Sequence, residues 1–187
     1  MNIDQQSGEA DIIRQCLDGE SDSYSVLVDR YKKMVYNVAY RMLGDGDLAN
    51  DIAQESFIAA YGGLKKFKQD AKFSSWLYSI ALNKCRDHLR VTKENIPIDD
   101  ISDIKPGSGL SPEQAASDHQ SNDLLQQALN ALPAEYREVL VLKHIEELDY
   151  QEISAITGTS VAALKVRAHR GREMLKKILE KSGVTHG

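Results

Sequence analysis

The sequence predicts an all-α protein: two small helical domains joined by a flexible acidic linker, the second carrying a helix-turn-helix. Three observations carry that expectation. Apolar residues recur at helical spacing from residue 9 to about 92 and again from about 122 to 181. Residues 93–121 lose that periodicity, because Pro97, Pro106, Pro112 and Gly107-Ser108-Gly109 interrupt an acidic, polar run. No alternating strand pattern and no repeat of fixed period is present. The expected division is therefore 1–92, a linker at 93–121, and 122–187.

In the first domain the periodicity places helices near 9–17, 22–43, 47–62 and 74–92. Gly44-Asp45-Gly46 and Gly62-Gly63 serve as breaks, and Asp47 and Ser74 as candidate N-caps. Within the fourth helix Tyr78, Leu82, Cys85 and Leu89 follow i, i+4, i+7, i+11, the spacing of a core stripe. In the second domain helices are expected near 122–131, 134–147, 150–157 and 160–181, with Pro133 tolerated at a first helical turn.

The last two helices have the strongest local signals. Asp149 can cap the first of them, with Glu152 at capping-box spacing. Gly158 sits where the helix must stop and the backbone needs positive φ, and Ser160 is a good N-cap for the next helix. A short glycine-bearing turn between two helices is the helix-turn-helix arrangement, whose second helix enters the DNA major groove. On that helix Val161, Leu164, Ala168 and Leu175 form one stripe, expected to pack on Ile153 and Ile156. The other side carries Ala162, Ala163, Val166, His169 and Arg170, flanked by Lys165, Arg167 and Arg172. Small residues allow close approach, Arg and Lys address guanine edges or phosphates, and valine suits a thymine methyl. The competing reading of the segment is a solvated cationic helix in a bundle.

Charge patterning favours DNA. The chain of 187 residues has a net charge of −5. Yet residues 64–93 sum to +6 and 160–187 to +5, while 1–30 sum to −5 and 94–123 to −6. Phosphate affinity depends on local cationic surface, not the global sum. The C-terminal basic block coincides with the recognition helix. The other block interleaves cations with aromatics from Lys65 through Lys68, Lys72 and Phe73 to Trp76, and continues along the helix at Asn83, Lys84, Arg86 and Arg90. That composition grips single-stranded nucleic acid: cations follow the backbone while bases stack beside rings. Alternatively Phe67, Phe73 and Trp76 are core, with solvated lysines between them.

Other classes are disfavoured. No apolar run approaches the roughly 20 residues of a membrane span, and no secretory signal is present, so a cytoplasmic protein without membrane insertion is expected. Cys16 and Cys85 are too few and too isolated for a disulfide framework. Cys85 and His88 are three apart, but no further ligands accompany them, so no metal site is expected. The five histidines are scattered, and neither a nucleophile motif nor a phosphate-binding glycine loop occurs. No catalytic residue, enzymatic activity or cofactor is expected.

Several motifs in fixed order narrow the reading. DLANDIAQESFIAAYGGLKKF, then FSSWLYSIALNKCRDHLR, then ALPAEYREVLVLKHIEELDYQEISAITGTSVAALKVRAHRGREML resembles a bacterial sigma factor of the extracytoplasmic-function group, from about residue 10 to 178. The resemblance implies that Asp51, Gln54, Glu55 and Phe57 dock on core RNA polymerase. It implies that Lys65 through Phe73 capture a flipped base of the promoter −10 element, and that Trp76, Asn83 and Lys84 belong to the adjoining melting helix. Lys165, Val166, His169 and Arg170 match positions that read the −35 element, and Arg167 and Arg172 match phosphate contacts. Partners implied are core RNA polymerase, promoter DNA and an anti-sigma factor. The family often has Gly-Thr at Ala162-Ala163, Ser at Val166 and Ala at Ser154, so this chain trades a hydrogen bond for apolar contact in the groove. The rival reading is a stand-alone helix-turn-helix regulator whose first domain dimerises or senses.

The linker supports a two-site reading. A relaxed chain of its length spans about 30 Å and a stretched one about 100 Å, while two duplex turns span about 70 Å. Tethering raises the effective concentration of the second contact once the first is made.

Overall fold

The structure is a computed structural model that describes residues 8–68, 71–94 and 117–181. Among these the regular elements are all helical. They are α1 (Glu9–Leu17), α2 (Tyr24–Leu43), α3 (Gly46–Gly63), α4 (Phe73–Glu94), α5 (Ser117–Asn130), α6 (Ala134–Leu140), α7 (Tyr150–Thr157) and α8 (Val161–Lys181). The expected flexible acidic linker falls mostly at 95–116, outside the described residues.

The N-terminal lobe packs α2 against α3 and α4, with α1 closing one side. Its core includes Leu27, Val35, Val38, Met42, Ile52, Leu77, Leu82 and Cys85. The stripe expected on α4 is there: Tyr78, Leu82 and Cys85 are buried and Leu89 is half-buried. Burial raises the Cys85 thiol pKa to about 12. Tyr31 donates a hydrogen bond to Glu9, and Glu9 also accepts from the Phe73 backbone, so α1 is tied to the start of α4.

Several boundaries move from their expected places for local reasons. A 3₁₀ turn at Ser21–Ser23 precedes α2. The N-cap of α3 is Asp45, not Asp47: Asp45 is extended and accepts from Leu48 N at 2.9 Å, while Asp47 sits in the first turn. Gly62 and Gly63 do not break α3 but form its last turn, which tightens into a 3₁₀ turn at Leu64–Lys66. Ser74 is inside α4, because the helical bonding already starts with Trp76 N to Lys72 O. α5 begins at Ser117, within the span assigned to the linker.

The C-terminal lobe packs α5, α6 and α7 around α8. The helix expected over 134–147 changes character: after Leu140 it widens into a π turn, Val141–Ile145, and Glu147 takes φ 57° to redirect the chain toward α7. Leu129, Leu132, Leu140, Leu142, Ile153, Leu164 and Ala168 form the core of this lobe.

The lobes touch, which the sequence did not foretell. α4 packs on α7, and α2 packs on α5, α6 and the π turn. Buried apolar contact runs continuously from one lobe to the other. Gly44 ends α2 at φ 77°, and a Cβ there would lie 2.1 Å from the Asn130 amide of α5, so only glycine permits this approach. Buried Arg137 of α6 donates across the junction to the Met42 carbonyl and, within its own lobe, to Asn130 O at 2.7 Å.

Candidate nucleic-acid interface

The helix-turn-helix is built by its caps. Asp149 accepts from Gln151 N and Glu152 N, both at 2.8 Å, while Glu152 Oε2 accepts from Asp149 N at 3.0 Å, completing the expected capping box. Gly158 closes α7 at φ 69°. Ser160 Oγ accepts from Ala163 N at 3.3 Å, the role expected of it. Leu164 and Ala168 are buried and Val161 and Leu175 half-buried, and α8 lies against α7, as the stripe required.

The opposite face of α8 is open. Ala162, Lys165, His169, Arg170 and Arg172 are exposed, Ala163 is half-buried, and Val166 stands 51% exposed although apolar. A groove beside them is lined by Glu135, Tyr136, Ala162, Ala163, Val166, Arg167 and Arg170. Arg167 differs from its neighbours: Glu135 holds it at 3.5 Å and Thr159 Oγ1 at 3.5 Å. These contacts engage Nη1 and Nη2 at the long limit of bonding distance. Glu135 and Tyr136 were not foreseen as groove residues, because they come from α6, about thirty positions earlier, and nothing local marks them.

The second cationic surface lies on α4 and the loop before it. Lys65 and Lys68 are exposed beside Phe67. Phe67, Phe73 and Trp76 form one aromatic cluster, with ring centroids 5.1 Å apart for Phe67–Trp76 and 5.7 Å for Phe73–Trp76. Phe73 must be corrected: it is 0% exposed and packs on Tyr31, so it supports the rings above and cannot meet a base itself. Helical position decides this, since Phe73 and Leu77 lie on the same inner face. Trp76 is half-buried.

Lys72, just before α4, and Lys84, Arg86 and Arg90 on it are engaged. Lys72 Nζ lies 2.6 Å from Glu152 of α7, and the contact raises the lysine pKa and lowers the glutamate's. Arg86 grips Glu138 of α6 in two-pronged fashion at 2.7 and 2.8 Å and donates a further bond to Asn83 Oδ1 at 2.7 Å. Lys84 pairs with Glu55 at 2.8 Å, and Arg90 approaches Asp87 at 3.4 Å. Beside them Tyr78 donates to Glu146 at 2.5 Å; burial raises the pKa of both groups.

A third surface lies on α3. Asp51, Gln54 and Glu55 are exposed on one face, and Ile58, next in helical register, is 72% exposed. Phe57 is only 7% exposed: it floors a groove lined also by Val28, Lys32, Tyr36, Ala53, Gln54 and Ile58. Its expected docking role is thus limited to a groove floor, because it points from α3 toward α2. Ile58 was missed, although i+7 from Asp51 places it on the same face. Among the described residues no group of three or more potential ligands could hold a metal ion, and no helix is long and apolar enough to cross a membrane.

Comparison with known proteins agrees with this layout. Residues 27–94 match Sigma-70 region 2, and residues 122–175 match Sigma-70, region 4. The chain is 39% identical over 178 residues to the ECF RNA polymerase sigma factor SigW of Bacillus subtilis, covering 89% of this chain and 94% of that one. Its fold matches the sigma factor RpoE of Bartonella quintana, solved with the anti-sigma factor NepR, at TM-score 0.68 and 22% identity over 84% of this chain and 96% of that one. CnrH, solved with the cytosolic domain of CnrY, matches at TM-score 0.68 and 26% identity over 91% of this chain and 96% of that one. Two matched regions in order, on two helical lobes bearing these surfaces, place the chain in the ECF RNA polymerase sigma factor family.

Proposed function

We propose that this chain initiates transcription by joining core RNA polymerase and directing it to promoters with a −35 and a −10 element. The carrying observation is the pairing, on one chain, of an open cationic recognition helix with an aromatic–cationic surface suited to a separated strand. The exposed face of α8 reads duplex edges: Lys165, Val166, His169 and Arg170 face the bases, and Arg167 and Arg172 flank them toward phosphates. A good side-chain contact there discriminates by about 1–3 kcal/mol. Lys65, Lys68 and Lys72 follow the opened strand beside Phe67 and Trp76, and Asn83, Lys84, Arg86 and Arg90 extend the track. Stacking supplies about 1–3 kcal/mol per base. The α3 face of Asp51, Gln54, Glu55 and Ile58, with its groove, is the polymerase-docking surface.

In this reading the chain makes and breaks no bonds; it adds specificity and strand capture to an enzyme that does the chemistry. It acts in the cytoplasm, where that enzyme works. An anti-sigma factor that holds it inactive is part of the proposal, supported by the kinship with CnrH, which was solved with a protein partner. The test is multi-round transcription from a genomic DNA library with core polymerase, with and without the chain. Discrete new start sites are expected. Unchanged transcripts, with the isolated protein footprinting duplex DNA by itself, would instead support a stand-alone regulator.

A further inference from the structure

The rings offered to a separated strand rest on a support that begins far away in sequence. Trp76 and Phe67 both pack on Phe73, with centroids 5.7 Å and 5.6 Å away, and Phe73 packs in turn on Tyr31 at 5.6 Å. The Tyr31 hydroxyl donates to Glu9 Oε2, and Glu9 Oε1 accepts from Phe73 N at 3.4 Å. One half-buried carboxylate of α1 therefore holds both members of the Tyr31–Phe73 pair. Its charge lies at the first turn of α4, where orphan N–H groups and the helix dipole favour an anion. Burial above all raises the Tyr31 hydroxyl pKa to about 12, so it stays a proton donor at neutral pH. α1 also contacts the 3₁₀ turn at Leu64–Lys66, just ahead of Phe67. Trp76 meanwhile lies close over α3: a Cβ added at Gly63 would come 3.2 Å from its ring.

We propose that Glu9 is a positioning residue for strand capture: acting through Tyr31 and Phe73, it sets where Phe67 and Trp76 present their rings. The inference rests on the reading of Phe67 and Trp76 as the surface that meets unpaired bases. A stacking platform must be held to about 0.5 Å by neighbours that are themselves locked by packing and hydrogen bonds. Phe73 is fully buried, and Trp76 sits too close to the Gly63 backbone to retreat toward α3. A shift of Phe73 with the start of α4 would carry both rings, and the Glu9 carboxylate opposes that shift. Without it, Tyr31 keeps its ring contact with Phe73 but loses its anchor, and the α4 N-terminus loses an acceptor. The lysines and arginines are untouched, so attraction for phosphate remains. Phosphate contacts position a strand and base contacts specify it, so the loss falls on discrimination among bases.

The test titrates holoenzyme, assembled from core polymerase and this chain, against a labelled single strand and follows anisotropy. The strand carries the downstream element of a promoter selected by transcription. A second strand with that element scrambled supplies the reference, and the ratio of the two affinities is the quantity read. Glu9→Ala is expected to lower the ratio about fivefold, the worth of one part-buried hydrogen bond, with affinity for the scrambled strand unchanged. Tyr31→Phe keeps the ring and removes the hydroxyl, and should lower the ratio similarly. The two together should lower it no further than either, because they break one connection. Glu9→Gln still offers an oxygen to Tyr31 and should retain most of the ratio. Should Glu9→Ala fold poorly by circular dichroism, Tyr31→Phe and Glu9→Gln carry the same comparison. A merely structural Glu9 predicts equal losses on both strands or additive losses in the double variant. Either result overturns the proposal, as does an unchanged ratio. A wild-type holoenzyme that does not distinguish the two strands overturns the strand-binding reading of this surface and the positioning role with it. Discrimination that survives Glu9→Ala and Tyr31→Phe overturns the positioning role alone.

Discussion

The two cationic surfaces of this chain differ in how far their charges are already paired. On α8 the groove-facing residues stand open: Lys165, His169 and Arg170 are exposed and Val166 faces solvent. On α4 and just before it three cations are paired, Lys72 and Arg86 with the other lobe and Lys84 with Glu55, while Lys65 and Lys68 ahead of them stay exposed. The contrast teaches that positive charge in a sequence does not equal positive surface available to DNA. A helix that reads an intact duplex can be permanently displayed. The surface proposed to meet a separated strand has several of its cations paired with the fold's own carboxylates meanwhile.

The largest expected effect tests the open surface. Arg170→Ala should weaken transcription from a promoter carrying both elements by about tenfold or more, the worth of one good groove contact. It should leave stability unchanged, because the side chain is exposed; a lowered melting temperature would assign Arg170 to the fold instead. On the partly paired surface, Trp76→Ala should slow open-complex formation by about tenfold while sparing polymerase binding. An equal loss in both assays would make Trp76 structural, as its contact with Phe67 allows. Asp149→Ala removes both bonds to the α7 N-terminus and should lower stability by about 1 kcal/mol, weakening −35 recognition only through that loss. A denaturant midpoint that does not move would show the capping box to be incidental.

The smallest effect concerns the junction. Burial holds the Glu146 carboxyl above its usual range, more than the Tyr78 hydroxyl lowers it. Because the folded value lies above the unfolded one, this group's contribution is complete below the unfolded carboxylate range and is lost as pH rises through the raised value. Glu146→Gln keeps an acceptor for Tyr78 without the charge. Its melting temperature should exceed the parent's slightly at pH 7, and the gap should shrink at pH 5. A gap that widens on acidification would contradict this assignment.

Much of this was legible from residues alone, wherever the signal was local. Asp149, Glu152, Gly158 and Ser160 specify the helix-turn-helix through bonds that span at most four positions. The α4 stripe follows from spacing. What stayed hidden is long-range. Phe73 and Trp76 look alike in sequence as aromatics among lysines, and the start of α4, which sets Phe73 on the inner face with Leu77 and against Tyr31, separates the buried ring from the half-buried one. The bond between Arg86 and Glu138 joins residues 52 positions apart across the proline-broken stretch. No periodicity announces such a pair. The π turn at Val141–Ile145 was equally unsignalled, since its residues suit an ordinary helix.

One measurement bears most directly on the central claim. On a promoter selected by transcription with this chain and core polymerase, permanganate reactivity of unpaired thymines and nuclease protection of the duplex can be read on the same complex. The account predicts reactive thymines at the downstream element and protection about two helical turns upstream, both requiring chain and polymerase together. Protection by the chain alone with no thymine reactivity, or reactivity that persists unchanged in Trp76→Ala and Arg170→Ala, would contradict it.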